Sequence, residues 1–183
     1  KMLCPGLSFL PIAAVVDPDL TVSMPARLSA DTGVDALTHA IEAYVSAKNN
    51  PIADALALNA MRTIGRYLLR VYRDGEDREA RGAMMVAATQ AGMAFSNSSV
   101  CLVHGMSRPI GGNFHVAHGL SNAMLLPAVT RFSVSGAEDR YAECARQLGA
   151  AAAGDDDSAA AAQLVTYLEQ LCQGLQDGSI PPG

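Results

Sequence analysis

The chain has no run of basic residues: its 13 lysines and arginines are scattered against 18 acidic residues, giving a net charge of −5 and a pI near 5.2. A nucleic-acid partner, which would require a clustered basic face, is therefore not expected. No stretch approaches ~20 uninterrupted apolar residues, so no membrane span is expected either. The opening residues, Lys1 to Gly6, are too quickly broken by Pro5 and Gly6 to read as a signal peptide. Four cysteines (Cys4, Cys101, Cys144, Cys172) form no CxxC pair and no regular framework, which fits reduced thiols in a cytoplasmic protein. Half of the 183 residues are apolar and 17% are charged, the profile of a chain that buries a sizeable core.

Extended structure is also scarce. Pro11-Ile12-Ala13-Ala14-Val15-Val16 reads as one buried strand ending at Asp17-Pro18. One strand cannot make a sheet, so residues 1–21 read as the remnant of a preceding α/β domain and its linker. Residues 22–183 read as an all-α helical bundle. The first helix is predicted over 29–47, with Val34, Leu37, Ile41 and Val45 at helical spacing. Asn49 and Asn50 are cap residues before Pro51, which opens a second helix to about Tyr72. A third, over about 76–95, is apolar nearly all round at Met84-Met85-Val86-Ala87-Ala88, the pattern of a helix enclosed within a bundle. Pro109, Gly111-Gly112 and Pro127 are expected to break the next part of the chain into shorter pieces. Gly149 ends a helix, the acidic residues from Asp155 to Asp157 cap the next, and Leu164, Leu168, Leu171 and Leu175 line that last helix to Gly174 or Gly178.

Histidines are few and clustered. His39 comes four positions after Asp35, which puts carboxylate and imidazole on one helix face, one turn apart. Such a pair alone is more often a surface or capping pair. His104 and His118 are each followed by glycine and lie fourteen positions apart among apolar neighbours, with the breakers between them, so two elements must converge to bring them together. Two core histidines satisfied by backbone carbonyls would explain the same pattern, but nearly every histidine in the chain would then need to occupy such a place.

The segments Gly33-Val34-Asp35-Ala36-Leu37-Thr38-His39-Ala40-Ile41-Glu42, Ala94-Phe95-Ser96-Asn97, Leu102-Val103-His104-Gly105-Met106 and His118-Gly119-Leu120-Ser121-Asn122-Ala123 resemble the signatures of the iron-containing (group III) alcohol dehydrogenases, specifically their C-terminal helical domain. The resemblance runs from about residue 11 to 149. It implies a metal held by Asp35, His39, His104 and His118, and hydride transfer between a nicotinamide and a small alcohol or aldehyde. It further implies Fe(II), with Zn(II) equally compatible with a His/carboxylate set, NAD(P) bound through an N-terminal domain, and a homo-oligomeric full-length protein. It places Phe95 in the substrate pocket. Glu42, one turn past His39, is expected either to orient that imidazole or to be a solvated helical glutamate. His115 matches no metal position and is expected to pack or line the pocket.

Three departures from the family pattern stand out. The glycine-rich phosphate-binding turn is absent, so the chain alone is expected to bind no NAD(P) and to be inactive. Arg108 stands where a second histidine is common, facing either an anionic substrate group or a neighbouring carboxylate. The chain also stops before the family's final helices. Two other readings stay open: a zinc lyase of the dehydroquinate synthase type, expected to carry Glu in place of Asp35, and a helical interaction domain with a vestigial metal site.

Overall fold

A computed structural model describes residues 6–179, which fold into seven α-helices joined by short turns. These are α1 (Ala26–Val45), α2 (Pro51–Arg73), α3 (Arg78–Ser98), α4 (Leu102–Phe114), α5 (His118–Ser133), α6 (Glu138–Leu148) and α7 (Asp157–Asp177). There is no strand among the described residues. Helix α1 is the hub, touching each of the other six helices, and twelve of its 20 residues are buried. Leu37, Ile41 and Val34 lie at its centre with almost no exposure.

Alanine brings the neighbours close. Helix α2 buries Ala53, Ala57, Ala60, Met61, Ile64 and Leu68, and α3 buries Ala80, Ala87, Ala91 and Ala94. These positions recur every three, four or seven residues, which collects them on one stripe. A stripe without long side chains lets the helix axes approach, and Met61, Ile64 and Leu68 fill the space that remains. Local signals set the ends. Asn50, Asp77 and Asp156 each cap a helix by accepting the N–H of the third residue beyond (Ala53, Ala80 and Ala159). Gly149 and Gly178 end α6 and α7 at φ of 75° and 73°.

Three expectations do not hold. Residues 11–16 are not a strand: Ile12 and Val15 are fully exposed and the segment is irregular. A lone extended segment has no ladder to satisfy its backbone, and no described residue offers one. Helix α3 is not enclosed. Only six of its 21 residues are buried, and Val86 and Met93 face outward, because its described partners lie on one side. Finally, Pro109 and Pro127 sit inside α4 and α5 and do not end them. The bond lost at Pro109 is the one to the carbonyl of Gly105, an exposed residue where solvent can replace it. The break between the histidines falls later, at His115 to Ala117.

One contact sets how near α5 comes to α1. A Cβ on Gly119 would lie 2.4 Å from the carbonyl oxygen of Asp31 and 2.7 Å from its carbon, both backbone atoms that cannot step aside. Gly119→Ala should therefore push the two helices apart and lower the melting temperature by several degrees. Gly92→Ala, which meets nothing within 4 Å in the middle of α3, should raise stability by about 0.5–1 kcal/mol, or roughly 1–4 °C, through helix propensity alone. Thermal melts of the two variants read both signs, and equal shifts would contradict the packing described.

Candidate metal centre

Asp35 and His39 lie on α1, His104 on the first turn of α4, and His118 is the first residue of α5. Each offers one ligand atom, and the four atoms lie within 4.8 Å of one another. Asp35 Oδ1 is the common vertex, 3.8 Å from His39 Nδ1, 3.5 Å from His104 Nε2 and 3.6 Å from His118 Nε2. Metal–ligand distances of about 2.0–2.2 Å put the corners of a tetrahedron roughly 3.4 Å apart. The separations therefore suit a single divalent ion, and one carboxylate with three imidazoles is a donor set that such ions accept.

Helix α4 arrives at this point because of Glu42. Its carboxylate is buried, with Oε1 accepting the N–H of Val103 at 2.6 Å and more weakly that of His104 at 3.4 Å. These are orphan donors at the N-terminus of α4, where a negative charge is favoured by the helix dipole. Its Oε2 lies 2.5 Å from His104 Nδ1. A carboxylate can only accept, so Nδ1 carries the proton and Nε2 presents its lone pair to Asp35 and the cluster. The expected partner was His39. Glu42 instead serves His104, and it is not solvated. Asp35, His39 and Glu42 stand at i, i+4 and i+7, so one stripe of α1 carries two candidate ligands and the anchor of a third.

The other predicted residues fall into place differently. Phe95, at the end of α3, stacks on His39 with ring centroids 4.4 Å apart and planes 24° from parallel. Arg108 is exposed one turn beyond His104 and makes no hydrogen bond or ion pair among the described residues, so a neighbouring carboxylate does not hold it. His115 neither packs nor joins the cluster. It is exposed and ends α4 in the left-handed conformation, at φ 55°. Asn122, which the sequence does not single out, is fully buried one turn after His118. Its amide nitrogen donates to Asp35 Oδ1 and lies 3.1 Å from His104 Nε2 and 3.3 Å from His118 Nε2. Its spacing of four from His118 is the one signal that could have pointed to it.

The electrostatics reflect partial burial. Desolvation lowers the His39 imidazole to about 4, overcoming the nearby Asp35 charge, so it is neutral at physiological pH. Burial would raise Asp35, but the close approach of the His104 ring, the nearby His39 and His118 imidazoles and the Asn122 amide together hold it below its usual range. Burial also disfavours charge on His104, yet its contacts with Asp35 and Glu42 prevail and raise it.

These features coincide with a known family. The model of the Fe-containing alcohol dehydrogenase family, C-terminal, matches residues 29–178. This chain belongs to the iron-containing alcohol dehydrogenase family. It is 48% identical over 136 residues to long-chain-alcohol dehydrogenase 1 of Geobacillus thermodenitrificans, a match covering 74% of this chain and 34% of the relative. It is 45% identical over 139 residues to the NAD-dependent methanol dehydrogenase of Bacillus methanolicus, covering 76% of this chain and 36% of that one. Among solved structures, a 1,3-propanediol oxidoreductase superposes with a TM-score of 0.85 at 38% identity, covering 90% of this chain and 42% of its own. The chain thus aligns with about a third to two-fifths of these relatives' length. No helix among the described residues is long and apolar enough to cross a membrane.

His39 gives the metal-free protein a pH dependence. The unfolded imidazole takes a proton near 6.5 and the folded one only near 4. Between those values the unfolded state binds more protons, so stability falls as pH drops from 6.5 to 4. His104, raised, acts in the window above 6.5, and Asp35, lowered, acts below the usual carboxylate range. With EDTA present, His39 should account for a loss of about 2–3 kcal/mol across pH 6.5 to 4, and His39→Gln should flatten the slope by that amount. Denaturant melts at each pH measure it; an unchanged slope in the variant would refute the assignment.

Proposed function

We propose that this chain is the metal-holding domain, from about residue 22 onward, of an NAD(P)-linked alcohol dehydrogenase that interconverts a small alcohol and its aldehyde. The observation that carries the reading is the convergence of Asp35, His39, His104 and His118 from three helices onto one point, in a chain of this family. The four would hold Fe(II) or Zn(II). When bound, such an ion supplies Lewis-acid polarisation of the alcohol or carbonyl oxygen.

The chain's own residues prepare that role. Asp35 contributes the one negative charge and the three imidazoles are neutral donors, which leaves a divalent site with a net charge near +1. Glu42 keeps the His104 proton on Nδ1, away from the face that meets the ion. Phe95 covers one ring face of His39 and excludes water from it. Arg108, exposed and without a carboxylate partner among the described residues, is available to an anionic group on a substrate. Cofactor affinity is assigned to a part of the longer protein outside these 183 residues, which contain no glycine-rich phosphate-binding turn. The family match supports the dehydrogenase over the lyase, and the convergence of four donors supports a working metal site over a vestigial one.

Anaerobic calorimetric titration with Fe(II) tests this reading. About one ion should bind per chain, and His118→Ala should weaken binding by at least roughly a hundredfold. Stoichiometry and affinity unchanged in both His104→Ala and His118→Ala would rule the site out.

A further inference from the structure

The amide of Asn122 is turned in a direction that its own hydrogen bonding does not favour. Its nitrogen lies among Asp35 Oδ1, His104 Nε2 and His118 Nε2, while its oxygen is buried with no partner among the described residues. An amide can exchange its two ends by rotation, so a buried, orphaned oxygen needs a reason. The neighbours supply one, because Asp35 and His104 Nε2 are acceptors, and His118 Nε2 lies beside them 3.3 Å from the amide nitrogen. Asp35 is a carboxylate, and in the neutral His104 ring Nε2 has a free lone pair because the single proton is committed to Glu42 through Nδ1. Turning the oxygen inward would set it against the Asp35 and His104 acceptors. The nitrogen therefore stays in, and the unmatched oxygen is the cost.

The amide nitrogen thus gathers three of the four atoms that an ion would gather. We propose that Asn122 is a positioning residue that holds Asp35, His104 and His118 together while no ion is bound and yields to the ion on binding. This rests on the metal-site reading above. An ion that takes the imidazole lone pairs leaves the amide with nothing to donate to on His104 and His118. The contact with Asp35 survives, since a carboxylate oxygen has lone pairs for both. Asn122 accordingly stabilises the metal-free state more than the loaded one. It keeps the site assembled, and it makes binding somewhat weaker than the ligands alone would allow.

Removing the amide should have opposite effects on the two states. Zn(II), which brings no redox chemistry, is the probe. Wild type, Asn122→Leu and Asn122→Ala are melted after EDTA treatment and again with excess Zn(II), and Zn(II) affinity is measured by calorimetry. Without metal both variants should melt below wild type. Their Zn(II)-induced rise in melting temperature should exceed that of wild type, and Kd should tighten roughly two- to tenfold, the worth of about one net hydrogen bond. If Leu prevents folding, Ala leaves room and carries the same expectation. A residue that only packs would lower both melts equally and leave the rise unchanged; an amide that itself binds the ion would shrink the rise. Either result overturns the proposal. A wild-type chain whose melt Zn(II) does not move would overturn the metal-site reading and this proposal with it.

Discussion

The carboxylate of Glu42, buried on α1, is the interaction on which the candidate site depends. Burying a carboxylate is costly unless charge-assisted hydrogen bonds replace its water. Here the backbone N–H of Val103, the more distant N–H of His104 and the His104 ring replace it. One side chain therefore caps α4, fixes where that helix starts relative to α1, and selects the His104 tautomer. Asp35 and His39 occupy the same stripe of α1, so the α1 helix itself sets their spacing from the anchor. Without Glu42, α4 would begin with unsatisfied donors, and only the Asn122 amide would hold Nε2 of His104 toward Asp35.

The fourth corner depends on a different constraint, the near-contact of two backbones. Gly119 allows α5 to lie against the carbonyl of Asp31, and His118, the residue before it, is carried to the cluster by that approach. The alanine stripes of α2 and α3 have a related effect on the packing around α1, and α3 carries Phe95 over His39. Close packing and site geometry are thus one problem in this domain. The histidines converge because small residues let their helices do so.

Much of this is legible in the residues. Helix periodicity, Asn50 before Pro51 and the glycines at 149 and 178 mark elements that the structure reproduces within a few residues. The Asp35/His39 spacing and the two His-Gly pairs point to a shared site from the sequence alone. What is not legible depends on tertiary partners. Residues 11–16 have strand-like composition, but a strand exists only where another pairs with it. Glu42 has two histidines within reach of its helix position in principle, His39 by sequence and His104 only in space. Asn122 looks like any buried polar helix residue until three candidate ligand atoms surround it. Pro109 reads as a breaker in sequence, but its cost depends on whether the carbonyl of Gly105 can reach water, which sequence alone does not state.

The tautomer of His104 is the most direct test of the account. In metal-free protein with ¹⁵N-labelled histidine, long-range ¹H–¹⁵N correlation at alkaline pH distinguishes a protonated from an unprotonated ring nitrogen. His104 should carry its proton on Nδ1, with a strongly deshielded proton resonance from the short contact to Glu42, and Nε2 should appear unprotonated. Glu42→Gln should remove that resonance and release the tautomer preference. A proton found on Nε2 in the wild-type chain would mean that Glu42 does not set the ring, and the site would lack its anchor.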